Sequence, residues 1–157
     1  MEAVEWNESY SVGHEALNEE HRILLAKRRD LQELLLGGAG RDRERLRWAL
    51  ADLTRYSRRH MQNEESVLEM CGYPALAAHR KAHHEILARM ESLQQRLETG
   101  YAVITYDLQE IANEWLEHHY KEMDRHYIPH VMRMDAIPGQ AVLSGRASRV
   151  ELSSTGC

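Results

Sequence analysis

The sequence contains no phenylalanine, and proline and cysteine are also rare. The three prolines, Pro74, Pro129 and Pro138, leave long stretches without a residue that breaks helices. Leu, Ala, Glu, Arg, Met and Gln dominate instead, and this helix-forming composition predicts an all-α protein. A chain of 157 residues with 43% hydrophobic content is long enough to form one domain with a sizeable core.

Further absences restrict the function classes. The two cysteines, Cys71 and Cys157, cannot make a disulfide framework and indicate a reducing compartment. There is no apolar run of about 18 residues, and residues 1–10 contain acids without an apolar core, so we expect neither membrane insertion nor a signal peptide. The net charge of −5 argues against a nucleic-acid partner, and the arginines from Arg41 to Arg59 predict a solvated helix face. We therefore expect a cytoplasmic protein, and a monomer.

Four segments repeat apolar residues at steps of three and four, which predicts four helices. We expect these helices at about 19–36, 42–70, 75–97 and 106–133. Asn18 is the predicted N-cap of the first helix, and Gly72 with Pro74 ends the second. Because short connections between long helices make neighbours antiparallel, the sequence predicts an antiparallel up-down-up-down four-helix bundle.

The two ends of the chain lack this helical period. Residues 1–17 contain apolar side chains without a regular spacing, so we expect an irregular N-terminal arm that covers one end of the bundle. Residues 135–157 are rich in Gly and Ser and are predicted to form a flexible C-terminal tail. We therefore divide the chain into a bundle domain, residues 1–134, and a tail, residues 135–157.

Polar residues interrupt the apolar seams, by which we mean the helix faces that a bundle turns towards its core. His60 and Glu64 lie one helical turn apart, between Leu53 and Val67 on the seam of the second helix. Burying such groups without partners costs several kcal/mol. The other three helices carry similar residues on or beside their seams: His21 on the first, His79 and His83 on the third, and His119 and Asp124 on the fourth.

These seven side chains together indicate a metal site, although each one alone is more often a satisfied core residue or a surface residue. Imidazole with carboxylate suits iron, zinc, manganese or copper. Five imidazoles are too many for one ion with carboxylates beside them. Two octahedral ions offer about twelve positions, of which the nitrogens, two bridging carboxylates and a bridging oxygen fill about eleven. The remaining histidines are expected at the surface or in the arm: His14, His84, His118, His126 and His130.

Short motifs with specific spacing run through the chain. They are Trp6 with Ser11-Val12-Gly13, Glu20-His21, His60-x-x-x-Glu64-Glu65, Gly72-Tyr73-Pro74 before His79-x-x-x-His83, and Trp115-Leu116-x-x-His119 before Asp124 and Tyr127. Each motif alone is weak, but the combined spacing is highly specific. From about residue 6 to residue 130 the chain resembles the bacterial hemerythrins, a family of cytoplasmic non-haem di-iron oxygen carriers.

The resemblance implies a cofactor and a role for each candidate residue. The cofactor would be two iron ions, ferrous or ferric, with a bridging oxo or hydroxo group and O2 as the ligand. One iron would be held by His79, His83 and His119, the other by His21 and His60, and both would be bridged by Glu64 and Asp124. The iron with two histidines would keep the open position for oxygen.

Three positions depart from the family pattern. Met61 stands where a Phe is usual, Tyr120 where an Ile usually follows His119, and Asn18 where an Asp is usual. We expect Met61 and Tyr120 to line the oxygen pocket, where a softer side chain and a phenol would alter oxygen affinity.

Three functions are compatible with these residues. The leading one is reversible O2 binding without catalysis, for storage, for delivery to an oxygen-consuming enzyme, or for sensing. The second is a di-iron enzyme with peroxidase, oxidase or nitric-oxide-handling activity, which Tyr120 and Met61 favour. The third is a metal-responsive interaction module of a signalling protein, but the 23 tail residues are too few for an output domain.

The spacing of His119 and Asp124 poses a separate geometrical question. Five residues place these side chains about 140° apart on a regular helix. Either the fourth helix loosens into a π-type turn at this point, or Asp124 reaches sideways to metals that lie between helices. We favour the sideways reach, because a bridging carboxylate must be displaced along the helix axis from an imidazole that binds one ion.

Overall fold

The computed structural model describes residues 6–36, 43–99, 107, 110–111 and 114–135, and it contains no strand within these ranges. A 3-10 turn at Glu8–Tyr10 precedes three long helices: α1 (Glu15–Leu36), α2 (Arg43–Met70) and α3 (Leu76–Thr99). The last part consists of a π-helix (Glu114–Met123), a 3-10 helix (Asp124–His126) and α4 (Ile128–Asp135). The predicted all-α, antiparallel four-helix bundle is confirmed, with α1 packed on α2 and α2 packed on α3.

Two apolar clusters flank a layer of buried polar side chains. The larger cluster contains leucines of α1, α2 and α3 together with Met61, Trp115 and Tyr120. The smaller one contains Val12, Leu17, Val67, Leu68, Tyr127 and Val131. Along α2, His60 and Glu64 lie between the residues of these two clusters, so the polar layer is shielded from solvent on both sides.

The seam of α2 is buried over its whole predicted length, from Leu46 to Val67. The seam of α3 is buried from His79 to Leu97, while Leu76 is half-buried. The predicted tail lies outside the described residues, except for its first residue, which ends α4. Within the described ranges, no helix combines the length and apolar character that crossing a membrane requires.

The predicted start of the first helix is wrong. The helix begins at Glu15, so Asn18 lies within its first turns, and His14 takes the capping position, where its Nδ1 accepts a hydrogen bond from the Leu17 N–H. Asn18 fastens the arm instead: its Oδ1 accepts a hydrogen bond from the Val12 N–H at 2.9 Å. An asparagine side chain can cap a helix or accept a hydrogen bond from a loop N–H. Here it accepts from the N–H of the buried Val12.

The expectation of one regular fourth helix, with Asp124 reaching sideways from it, is also wrong. Ten residues, Glu114–Met123, form a π-helix, and Asp124 opens the 3-10 helix that follows. In a π-helix the hydrogen bonds join residues five apart, so residues at that spacing lie above one another on one face. The π-helix therefore turns His119 and Asp124 in the same direction, which a regular α-helix does not do.

The turn between α2 and α3 agrees with its sequence signal. Gly72 has a φ of +66°, the left-handed conformation that glycine adopts without steric cost. The N–H groups of Gly72 and Tyr73 donate to the carbonyl oxygens of Glu69 and Leu68, which closes the end of α2. This short turn brings the start of α3, with His79, back beside Glu64 on α2.

Candidate metal centre

Five histidine side chains from all parts of the bundle converge on the polar layer. The Nε2 atoms of His21 and His60 are 3.2 Å apart, and those of His83 and His119 are 2.9 Å apart. The Nε2 atom of His79 lies 3.0 Å from Oε2 of Glu64. All seven predicted ligands are at most 2% exposed, and they lie in one continuous cluster: His21, His60, Glu64, His79, His83, His119 and Asp124.

Hydrogen bonds on the outer side of three imidazoles fix which nitrogen carries the proton. Nδ1 of His60 lies 2.9 Å from Oε2 of Glu20, and Nδ1 of His83 lies 2.7 Å from Oε1 of Glu65. Nδ1 of His21 lies 3.3 Å from the carbonyl oxygen of Tyr10 in the arm. We assign the proton to Nδ1 in each case, because the partner oxygen can only accept. In the neutral rings, the Nε2 lone pairs then face the centre of the cluster.

Facing lone pairs require a cation between or beside them. The Nε2 atoms of His21 and His60 are both acceptors in these tautomers, so their 3.2 Å approach is repulsive without a positive charge. Two nitrogens that bind one ion at about 2.1 Å and at right angles lie about 3 Å apart. The observed separations match this value, and the donor set of imidazole and carboxylate suits iron.

The two carboxylates lie between two groups of histidines. Glu64 belongs both to a group with His79, His83 and His119 and to a group with His21 and His60. Oδ1 of Asp124 lies 3.3 Å from Nε2 of His119, and its Oδ2 lies 3.9 Å from Nε2 of His21. Three imidazoles on one side and two on the other, with Glu64 common to both groups, are arranged as candidate ligands for two adjacent cations.

Asp124 is the least satisfied polar side chain of the cluster. Neither of its oxygens has a hydrogen-bond partner in the part of the chain that the structure describes. Burial and the nearby charge of Glu64 raise the pKa of Asp124 well above its ordinary value. The pKa of Glu64 moves the other way, because its contacts with the imidazoles of His119, His79 and His83 outweigh the effect of its burial. Asp124 therefore ionises readily only when a cation is present.

Burial holds the imidazoles of His21 and His119 in the neutral form that binds metals. Burial, followed by the charge of neighbouring histidines, lowers the pKa of His21 to about 3. Burial also lowers the pKa of His119 to about 4, with a further contribution from His83. The pKa of His83 is raised, because hydrogen bonds and charges of Glu64 and Glu65 outweigh its burial. Neutral imidazole is the metal-binding form, so the residues present fit a pair of metal ions.

The residues around the cluster include several whose roles the sequence did not reveal. Glu20 and Glu65 orient His60 and His83, and Tyr127 donates a hydrogen bond to Oε1 of Glu64. The signal for the two glutamates is their position beside His21 and Glu64 in the sequence, at the edge of a seam.

The other predicted positions have mixed outcomes. Met61 and Tyr120 are buried, and the Tyr120 ring stacks on His21. Surface positions are confirmed for His84, His118 and His126. His130 is half-buried and lies edge-on against Tyr73.

Comparison with known proteins agrees with this arrangement. Residues 12–131 match the family profile described as the hemerythrin HHE cation binding domain. A bacteriohemerythrin of Stenotrophomonas maltophilia is 24% identical over 131 residues, which are 83% of this chain and 83% of the relative. A myohemerythrin of Riftia pachyptila is 28% identical over 122 residues, which are 78% of this chain and 88% of the relative.

Solved structures share the fold. A crystal structure of a hemerythrin mutant superimposes with a TM-score of 0.75 at 21% identity, covering 83% of this chain and 98% of the other. The family profile spans most of the bundle, and the buried histidines and carboxylates lie within its limits. The chain therefore belongs to the hemerythrin family, and its buried cluster suits the non-haem di-iron centre of that oxygen-binding family.

Proposed function

We propose that this protein binds O2 reversibly at a di-iron centre in the polar layer and serves in oxygen storage, delivery or sensing in the cytoplasm. In this proposal His79, His83 and His119 hold one iron, and His21 and His60 hold the other. Glu64 and Asp124 bridge the two. The hemerythrin family binds molecular oxygen, and the named relatives are a bacteriohemerythrin and a myohemerythrin.

The observation that carries the proposal is the inward convergence of the imidazole lone pairs on two unequal groups. The group with His21 and His60 has fewer protein ligands than the group with three histidines. An iron ion held there would have fewer protein ligands and so an open position, and the iron pair would supply the electrons that oxygen binding needs. The residues themselves keep this position dry, because Met61, Trp115 and Tyr120 are all buried in the adjacent apolar cluster.

The composition of the ligand set favours binding over oxidation chemistry. The cluster has five imidazoles and only two carboxylates among its candidate ligands. Neutral ligands stabilise highly charged iron less than anionic ones do, whereas the di-iron proteins with carboxylate-rich sites use four glutamates with two histidines. Glu20 and Glu65 add negative charge only indirectly, through the imidazoles of His60 and His83.

The test is to cycle the iron-loaded protein between argon and oxygen while its visible absorbance is recorded. Repeated, fully reversible spectral changes without consumption of a reductant are expected for an oxygen carrier. Steady turnover of added peroxide, with no reversible oxygenated state, would contradict the proposal and favour the enzymatic alternative. His60→Ala serves as the matched negative variant, because it removes one of the two histidines that hold the second ion.

A further inference from the structure

The phenol of Tyr120 is a buried donor with no acceptor. The residue is 1% exposed, and its hydroxyl has no hydrogen-bond partner within the described part of the chain. Tyr127, which is equally buried, donates a hydrogen bond from its hydroxyl to Oε1 of Glu64. Leaving a buried hydroxyl unpaired costs free energy, so an unpaired phenol at the edge of a ligand site indicates an acceptor that arrives with the ligand.

The position of Tyr120 places it over one of the two histidine groups. Its ring stacks on His21, with centroids 4.2 Å apart and planes inclined by 23°. Its ring lies edge-on to His60 at 6.2 Å and is 6.1 Å from His119 of the other group, while Trp115 packs on it at 5.6 Å. The stacked contact with His21 therefore places Tyr120 nearest to the group of two histidines, which is the side that carries the open position in the proposed function.

The phenol of Tyr120 is a donor at neutral pH, because the ordinary pKa of a tyrosine is about 10. A protonated phenol beside a metal pair can donate a hydrogen bond but cannot itself bind as a phenolate ligand without losing that proton.

We propose that the Tyr120 hydroxyl donates a hydrogen bond to the small ligand that binds beside His21 and His60, and that this bond slows ligand release. The inference rests on the proposed function and names a residue that determines ligand preference. Ligands whose outer atom accepts a hydrogen bond, such as O2 or azide, gain the bond. The gain comes with little reorganisation, because the ring is already fixed between His21 and Trp115.

The experiment compares wild type, Tyr120→Phe and the matched control Tyr56→Phe, all as iron-loaded full-length protein with equal iron content. Tyr56 is a half-buried tyrosine that packs against the same apolar cluster. Azide is the probe, because it carries no proton of its own and its stretching frequency reports any donor. We expect this frequency to shift in D2O for wild type and Tyr56→Phe but not for Tyr120→Phe. We also expect Tyr120→Phe to release azide on the order of 10-fold faster.

The melting temperature of the metal-free protein gives a readout that does not depend on iron. Because the hydroxyl is unpaired without a ligand, metal-free Tyr120→Phe should melt at the wild-type temperature or above it. A lower melting temperature would show that the hydroxyl already has a partner and would overturn the inference.

The remaining outcomes separate the inference from the proposed function. If wild type binds azide and O2, but Tyr120→Phe retains the frequency shift and the release rate, the role of Tyr120 alone is overturned. A wild-type protein that is loaded with iron and binds neither azide nor O2 would overturn the proposed function itself.

Discussion

Asp124 shows at the scale of a single residue why the centre needs a cation. A fully buried carboxylate without a hydrogen-bond partner is one of the most costly groups that a protein can contain. Its raised pKa expresses this cost, and the nearby carboxylate of Glu64 adds to it. A pair of metal ions between the histidine groups would remove the cost by supplying positive charge within reach of both Asp124 oxygens.

The substitution Asp124→Asn should therefore act in opposite directions with and without metal. We expect metal affinity to fall by at least about 10-fold, since one negative charge is lost from the site. The metal-free variant should be as stable as wild type or more stable, because asparagine, unlike Asp124, does not have to take up a proton when it is buried. Calorimetry of metal binding checks the expected loss of affinity, and thermal unfolding of the metal-free proteins checks the expected stability.

Asp107→Asn is the control for this change. Asp107 pairs with Arg96 at 2.6 Å, and it lies outside the candidate cluster. Equal metal affinity of the two variants would remove Asp124 from the site.

The glutamates that orient the imidazoles provide a second test at the residue scale. Glu65→Gln keeps an acceptor for the Nδ1–H of His83 but removes the charge, so metal affinity should fall by about 10-fold to 100-fold. Glu69→Gln is a matched control, because Glu69 shares the partner Arg80 but touches no imidazole. A wild-type affinity in Glu65→Gln would show that this outer hydrogen bond does not support the site.

At the scale of secondary-structure elements, the predictable helices are those in which packing follows a regular period. The seams of α2 and α3 are read directly from leucines and histidines at steps of three and four, because an α-helix buries one stripe. The same period assigns two candidate ligands of each of these helices to the core: His60, Glu64, His79 and His83. The bounds of α2 and α3 differ from the predicted ones by only a residue or two.

The α-helical period of three and four residues fails in the π-helix and in the 3-10 helix that follows it. The five-residue spacing of His119 and Asp124 signals an irregularity, but spacing alone does not distinguish a widened helix from a side chain that reaches sideways. A π-helix has poor intrinsic stability and is retained where a site needs it. The π-helix brings Nε2 of His119 to within 2.9 Å of Nε2 of His83 at the candidate site, and no local sequence pattern contains this long-range contact.

The turn before α3 gives a prediction about an element boundary. Gly72→Ala should lower the free energy of unfolding by about 1 kcal/mol, because Gly72 has a positive φ. An added Cβ would meet no heavy atom within 4 Å, so the expected effect is purely conformational. Gly72→Asn should cost less, because asparagine tolerates this conformation. Denaturant unfolding measures both, and equal stability of Gly72→Ala and wild type would contradict the reasoning.

At the scale of the whole molecule, the polar layer makes the bundle depend on its ligand. The two apolar clusters on either side stabilise the fold without metal, while the layer between them contains charges and lone pairs that oppose one another. Binding of metal to the folded state alone must then raise stability by mass action.

The metal-free protein should lose stability on acidification. His21 and His119 have folded pKa values of about 3 and about 4, below the ordinary value of 6.5, so unfolding lets them take up protons. Their contribution to the free energy of unfolding is complete above pH 6.5 and is lost as the pH falls towards their folded pKa values of about 3 and about 4. Asp124, whose pKa is raised, releases a proton on unfolding in much of this range. This release cancels about one of the two protons that the histidines take up.

The expected net uptake of about one proton corresponds to about 1.4 kcal/mol of stability per pH unit between pH 6 and pH 5. Urea unfolding at these two pH values measures it. Asp124→Asn removes the offset, so its pH dependence should be steeper. A metal-free wild type whose stability rises on acidification over this range would contradict the assigned protonation states.

The central claim is that the buried cluster is a two-iron site, and anaerobic titration of the metal-free chain with ferrous iron tests it most directly. We predict uptake of about two ions per chain, with a melting temperature that rises by several degrees or more, because the folded state alone presents the converged ligands. His60→Ala and His79→Ala each remove one histidine from a different histidine group, and each should lower the uptake. Binding of a single ion or none by wild type, or unchanged uptake in both variants, would contradict the account.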